Sequence, residues 1–325
     1  MKNEEAGTFS RILAARVLQE AVLMPVGRGL RGRHLNEGGP PTATSARVHL
    51  LAETLAWPTG NPQTPGVMRF AVLGSGSKGN SAVVECGGTR LLIDAGLSAK
   101  QLKLRLGLLG IDPDSLAGIL LTHEHGDHVR GLNIFLKQHP LPVFATGQTA
   151  QVVRQAGLEG ATWKTFETSQ EVIIDEVVVK SFSIQHDAVD PVGYVIGHAA
   201  RRFGFVSDVG HVTRSMTHSL SGLHGLFVEA NYDAELLEAD TKRPWSIKQR
   251  ISSRHGHLSN EQVAELLCEI AHPQLGRVVL GHLSSDCNTP ELILGRLRAC
   301  LAAEGHGHVA LHCACQDEPS AWFEM

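Results

Sequence analysis

The 325-residue chain has no uninterrupted apolar run of about 18 residues, so nothing in it reads as a membrane-spanning helix. It has no CxxC pair either. Its six cysteines, Cys86, Cys268, Cys287, Cys300, Cys313 and Cys315, sit mostly inside apolar runs. That argues for buried free thiols rather than a disulfide framework, and for a reduced, cytoplasmic setting. A net charge of −4 gives no overall positive field, so any contact with DNA or RNA requires a local basic patch. The glycine-rich turn Gly74-Ser75-Gly76-Ser77-Lys78-Gly79-Asn80-Ser81 lacks both the Gly-Lys-Ser/Thr ending and the following helix of a nucleotide P-loop. Its amides, with Ser77, Lys78 and Asn80, remain candidates for lining a substrate groove. No internal repeat is evident.

What is present is a globular composition, 42% hydrophobic and 19% charged, with 18 histidines and 34 glycines. Three of the histidines fall in Thr122-His123-Glu124-His125-Gly126-Asp127-His128. The apolar run Gly118–Leu121 precedes this stretch, and an amphipathic segment with Val129, Leu132, Ile134, Phe135 and Leu136 follows it. The pattern reads as strand, loop and helix, with the loop at the strand's C-terminal end, where α/β proteins place their chemistry. On a regular helix His123 and His125 diverge, and on a regular strand His128 turns away from His125 and Asp127. The four groups converge only on a tight irregular loop, for which Gly126 is the expected source of backbone freedom. Imidazole with carboxylate and no thiolate suits zinc, manganese or iron. Glu124 points away from the converging set.

Residues 1–67 differ from the rest. Ser10–Leu23 can be drawn as a helix, glycines and arginines alternate from Val26 to Arg33, and a Gly/Pro/Thr/Ser stretch follows. This composition suits a disordered or loosely helical arm that catalysis does not need. Met68 opens a regular strand pattern and is a natural place for translation to begin. From there to Met325 strands alternate with hairpins and helices, which predicts two mixed sheets faced by helices. Strikingly regular is the way the later strands end: His186 follows Ser183-Ile184-Gln185, Asp208 follows Phe203–Ser207, Glu229-Ala230-Asn231 follows Gly225–Val228, and His282 follows Arg277–Gly281. Asp94 ends an earlier strand, where it can orient a metal-binding histidine. His257 precedes a strong helix start, Ser259-Asn260-Glu261-Gln262, and is either a structural cap or a functional group.

His123–His128 resembles the HxHxDH signature of the metallo-β-lactamase superfamily. Over 68–325 the chain resembles the YycJ/WalJ branch of that superfamily. The match is carried by Gly74–Ser81, His186-Asp187-Ala188, Pro191-Val192-Gly193-Tyr194, Glu229-Ala230-Asn231, Pro244-Trp245-Ser246, Lys248-Gln249-Arg250, Gly256–Asn260 and Gly281-His282-Leu283-Ser284. One departure is Tyr232, where a His often follows the Asn. The resemblance implies an αββα four-layer sandwich with two divalent metal ions, zinc foremost and manganese or iron as alternatives. One ion would take His123, His125 and His186, the other Asp127, His128 and His282, with Asp208 as the bridge. A hydroxide shared by such a pair is a nucleophile near neutral pH. His257, held by Glu229, would act as proton donor, with Asp127 and Asp208 completing the catalytic set.

The activity implied is that of a cytoplasmic phosphodiesterase or DNA exonuclease. Phosphate contacts are then expected from Ser77, Lys78, Asn80, Asn231, Lys248 and Arg250. The last two belong to a basic stretch with Lys242, Arg243 and Arg254, in which Trp245 is placed to stack on a base. A glyoxalase II-type thioesterase is the first alternative, since it does not need the Glu229–His257 pair. A non-catalytic, metal-dependent scaffold or regulatory partner is the second. No membrane partner is expected, and the sequence is compatible with a monomer or a dimer.

Overall fold

A computed structural model describes residues 67–325, and the arm expected over residues 1–67 lies outside them except for Val67. Strands and helices alternate into two seven-stranded sheets. The first comprises β1 (Met68–Gly74), β2 (Ser81–Cys86), β3 (Thr89–Ile93), β4 (Gly118–Leu120), β5 (Pro142–Thr146), β6 (Thr162–Phe166) and β14 (Phe323–Glu324), in the order β14-β1-β2-β3-β4-β5-β6. The second comprises β7 (Glu171–Ile174), β8 (Val177–Ser183), β9 (Val192–His198), β10 (Arg201–Val206), β11 (Gly225–Glu229), β12 (Arg277–Gly281) and β13 (Ala310–Cys313), in the order β13-β12-β11-β10-β9-β8-β7. Each sheet is antiparallel in one half and parallel in the other: β3 to β6 run parallel in the first, β10 to β13 in the second.

The side-chain period of two divides each strand between two cores. Met68, Phe70 and Val72 of β1 enter the apolar layer between the sheets, whereas Ala71 and Leu73 face outward under helices. Phe70 stacks on Phe203 of the opposite sheet at a centroid distance of 4.2 Å. Each such buried aromatic contributes on the order of 1.5–3 kcal/mol. On the outside of the first sheet lie α1 (Ala99–Leu108), α3 (Leu132–Gln138) and α4 (Gly147–Val153), which bury Leu102, Leu106, Leu132, Phe135 and Val153. On the second sheet, α5 (Arg214–Ser219) packs on β8, and α9 (Pro290–Ala303) packs on β13 and on α8 (Asn260–Ile270). The result is the helix–sheet–sheet–helix sandwich expected from the sequence. Strands covered on both faces explain why so many read as continuous apolar runs.

Cys268 of α8 and Cys300 of α9 are joined as a disulfide. This corrects the expectation of free thiols throughout: the two are 32 residues apart and meet only because their helices pair, which sequence spacing does not reveal. Cys86, Cys287, Cys313 and Cys315 are free. Among the described residues no helix is long and apolar enough to cross a membrane. The feature that positions chemistry is the shared edge where the parallel strands end. Asp94 follows β3, Thr122 and His123 follow β4, Asp208 follows β10, Glu229 closes β11 and His282 follows β12.

Candidate metal centre

After β4 the chain turns sharply into a one-turn helix, α2 (Gly126–Val129), with His125 as its extended cap residue at φ −61°, ψ 148°. The turn of strand into helix, rather than glycine flexibility, throws the imidazoles together. Gly126 has no positive φ and open space beside its Cα, so the role expected of it is corrected. The glycine this loop requires is Gly96, where a Cβ would stand 1.6 Å from the Asp127 carbonyl oxygen and 2.7 Å from the Asn80 nitrogen.

Three overlapping groups result. His123, His125 and His186 bring ligand atoms within 4.8 Å of one another, as do His123, His128 and Asp208, and as do Asp208, Glu229, His257 and His282. Hydrogen bonding selects which nitrogen each ring turns inward. The Asp94 carboxylate accepts the Thr122 N–H and hydroxyl at 2.8 Å each and His128 Nδ1 at 2.8 Å. The Thr122 hydroxyl, having donated to Asp94, can accept from His123 Nδ1 at 3.0 Å. His186 Nδ1 donates to the Gly256 carbonyl at 3.1 Å, and His125 Nε2 to the Asp187 carbonyl at 3.2 Å. Nε2 of His123, His128 and His186 and Nδ1 of His125 are left as ligand atoms.

Asp208 occupies the junction. Its Oδ2 lies 2.8 Å from His128 Nε2, and its Oδ1 lies 2.6 Å from His282 Nδ1. The same His282 Nδ1 lies 3.6 Å from Glu229 Oε2, so two carboxylates converge on one ring nitrogen. Asp127 sits at the margin, its carboxylate 3.8 Å from His128 Nε2 and accepting from the Asn80 amide at 3.2 Å. Burial pushes the His123 pKa well below its usual value. Burial also pulls on His128 and His282, but Asp94 and Asp208 around the first, and Asp208 and Glu229 around the second, hold both well above it. Burial works against Asp208 as well, yet His282 and His128 keep its carboxyl well below the usual range.

Cations fit this donor set. His123 Nε2 is buried and unpartnered, and the buried Asp208 carboxylate stands between the imidazoles of His128 and His282, whose protons a cation would replace. The strand-end residues Asp94, Asp208 and His282 all adopt positive φ, at 57°, 56° and 51°. Each such backbone costs on the order of 1–3 kcal/mol and persists where the surroundings over-determine it.

Glu229 is fully buried and accepts the backbone N–H groups of Asp208, Val209 and Leu258 at 2.7–3.1 Å. His257 Nδ1 stands 3.1 Å from its Oε2 and 3.5 Å from Asp208 Oδ1. Ser259, not His257, caps α8, in a full capping box with Gln262. Asn80 and Asn231, expected at a substrate groove, lie against the ligand loops. Both are buried: Asn80 reaches Asp127 and His128, and Asn231 donates to the His282 carbonyl at 2.8 Å. Their amides, cut off from water, take partners on the ligand loops. Ser77 and Lys78 are exposed at the rim. Lys248 Nζ donates to the Glu238 carbonyl at 2.7 Å, and Arg250 Nε to Asp187 at 2.9 Å.

Sequence reasoning missed a positioning network. Ser75 Oγ accepts the His282 N–H at 2.7 Å, tying the glycine-rich loop to the second sheet. The Gln316 side chain accepts from Lys78 N–H and donates to the Gly79 carbonyl, at 2.8 and 2.9 Å. Buried Arg105 donates to the carbonyls of Leu73, Gln316 and Asp317. Glu124, turned away from the ligands as expected, accepts the Val189 N–H at 2.9 Å and so holds the loop after His186.

The beta-lactamase superfamily domain matches residues 89–283. The exodeoxyribonuclease YycJ of Bacillus anthracis is 32% identical over 242 residues, 74% of this chain and 91% of that protein. The exodeoxyribonuclease WalJ of Streptococcus pneumoniae serotype 2 is 33% identical over 228 residues, 69% of this chain and 84% of that protein. In three dimensions the chain resembles the metallo-beta-lactamase fold protein YhfI from Bacillus subtilis with a TM-score of 0.62 at 15% identity, covering 80% of this chain and 100% of that one.

Proposed function

Because the chain belongs to the metallo-β-lactamase superfamily, as a metal-dependent hydrolase of the YycJ/WalJ-like branch, we propose that it cleaves phosphodiester bonds, with DNA ends as substrate, in the cytoplasm. One divalent ion would be held by His123, His125 and His186 and a second by Asp127, His128 and His282, with Asp208 available to both; zinc suits this mixture of imidazole and carboxylate. Ions held there would supply Lewis-acid neutralisation of phosphoryl charge and acidify the attacking water.

The observation that carries the proposal is the Glu229–His257 pair. A phosphodiester leaves as an alkoxide, which needs a proton; a thioester leaves as a thiolate, which does not. His257 lies 3.1 Å from Glu229 and its ring centroid lies 5.1 Å from that of His282. Burial opposes its protonation, but Glu229 outweighs burial and raises the imidazole above its usual pKa. With Nδ1 engaged by Glu229, Nε2 is the atom from which a proton can be given. Asn80, Asn231, Ser75 and Asp94 hold ligands in register. Ser77 and Lys78 on one rim, with Lys248 and Arg250 on the other, are offered to phosphates.

The test is hydrolysis of labelled duplex DNA, whose leaving alkoxide needs a proton, and of bis(p-nitrophenyl) phosphate, whose p-nitrophenolate does not, with zinc or manganese, by wild type and His257→Ala. Retained metal content with DNA turnover lowered about 100- to 10,000-fold and bis(p-nitrophenyl) phosphate turnover much less affected supports the acid role. Equal DNA turnover removes it, and thioester hydrolysis without phosphodiester hydrolysis favours the thioesterase alternative.

A further inference from the structure

Between α6 (Ala234–Ala239) and α8 the chain forms α7 (Trp245–Ile251), a helix with no fully buried residue. Trp245 is 68% exposed and Ile247 41%. An exposed tryptophan on a short helix needs a reason, since its ring is among the largest apolar surfaces a side chain offers.

The position of α7 supplies one. On its N-terminal side Arg243 reaches Asp286, on the loop that follows His282, at 3.0 Å. On its C-terminal side Arg250 reaches Asp187, next to His186, at 2.9 Å. The helix therefore runs along the rim from one ligand loop to the other, and the chain beyond it returns to His257. From Trp245 to His257 the sequence holds Lys248, Arg250 and Arg254 and no carboxylate, in a chain of net charge −4. Lys248 is bonded to an uncharged carbonyl with Asp240 near enough to interact with its charge, Arg250 is paired with Asp187, and Arg254 is exposed.

We infer, resting on the phosphodiesterase reading above, that Trp245 is a stacking platform for an unpaired nucleobase of single-stranded nucleic acid. At 1.5 Å per residue Trp245 lies about 7.5 Å along α7 from Arg250, about two stacked nucleotides at 3.4 Å each. A base inside a duplex has both faces covered by its neighbours, so only unpaired or terminal bases qualify. The platform thus selects single-stranded or frayed ends.

The test is equilibrium binding of the metal-loaded protein to cleavage-resistant, phosphorothioate-linked oligonucleotides: a single strand, a blunt duplex, and single strands with one abasic site moved stepwise from the end. Trp245→Ala is expected to weaken single-strand binding about 5- to 150-fold, with Trp245→Phe restoring most of it. One abasic position should cost wild type a similar factor and cost Trp245→Ala nothing further. Single-strand affinity unchanged in Trp245→Ala overturns the inference. So does a wild-type dimer, seen by light scattering, that Trp245→Ala dissociates, because a second copy would then cover this face. Trp245-dependent binding without any hydrolysis by wild type would sustain the platform and remove the phosphodiesterase reading beneath it.

Discussion

Replacing Gly96 by alanine separates the glycine that the metal loop depends on from the one its sequence advertises. The added Cβ would stand 1.6 Å from the Asp127 carbonyl oxygen and 2.4 Å from its carbon, where ordinary contact begins at 3.4 Å. Neither atom can swing aside, because both are backbone and the seam is closed by hydrogen bonds from Asn80 N–H to that carbonyl at 2.8 Å and from Gly96 N–H to the Asn80 carbonyl at 3.0 Å. The loop must retreat by roughly 2 Å, an overpacking cost of about 1–3 kcal/mol, which for a domain of this size lowers Tm by roughly 2–12 °C. Asp127 and His128 move with it, so metal affinity should fall about 10- to 100-fold. Gly126→Ala is the control: the space beside Gly126 is open and its φ is not positive, so Tm should hold or rise slightly. Thermal unfolding and competitive zinc titration of both variants decide the matter. Wild-type zinc affinity in Gly96→Ala, or equal damage from Gly126→Ala, refutes the reasoning.

Three further outcomes are expected. Gln316→Ala should speed hydrogen exchange at the Lys78 amide about 2- to 13-fold, the loss of one net hydrogen bond, whereas Gln316→Glu, which keeps the acceptor, should protect it; equal exchange in all three would show that the side chain latches nothing. Asp94→Ala strands the Thr122 and His128 donors in a buried site, costing about 1–3 kcal/mol per unmet group and about 10- to 100-fold in metal affinity, by denaturant titration and metal competition; wild-type values for both would contradict that. Burial, aided by Glu85 and Glu176, pushes the Cys86 thiol up to about 12. The reactive thiolate is lost as pH falls below that value, so at pH 8 only about one thiol in ten thousand is ionised. Native Cys86 should therefore resist alkylation that labels exposed Cys315, and should react once the protein is unfolded.

The parts of the site written in contiguous residues were legible. His123 to His128 could be recognised because one short loop carries them, and Asp208, Glu229 and His282 because apolar strands ending in polar groups follow a rule of parallel sheets, with His186 found as a polar group after the apolar antiparallel strand β8. The two-layered cores were legible for the same reason, through period and run length. What escaped depends on chain segments meeting at long range. Ser75 and His282 are 207 residues apart, and Gln316 and Lys78 are 238 apart; neither residue type announces such a partner. Asn80 was read as a substrate group with the glycine-rich turn and Asn231 with the residues after β11, but burial commits both to the ligand loops. Gly126 drew notice by its place in the motif, whereas the steric need fell on Gly96, in a strand-end segment with no motif of its own.

The central claim is that two cations sit side by side and share Asp208. Elemental analysis of the purified protein together with electron paramagnetic resonance after manganese loading tests it most directly. Two equivalents bound with an exchange-coupled spectrum are predicted. A single equivalent, or two whose spectra are uncoupled, would contradict the account.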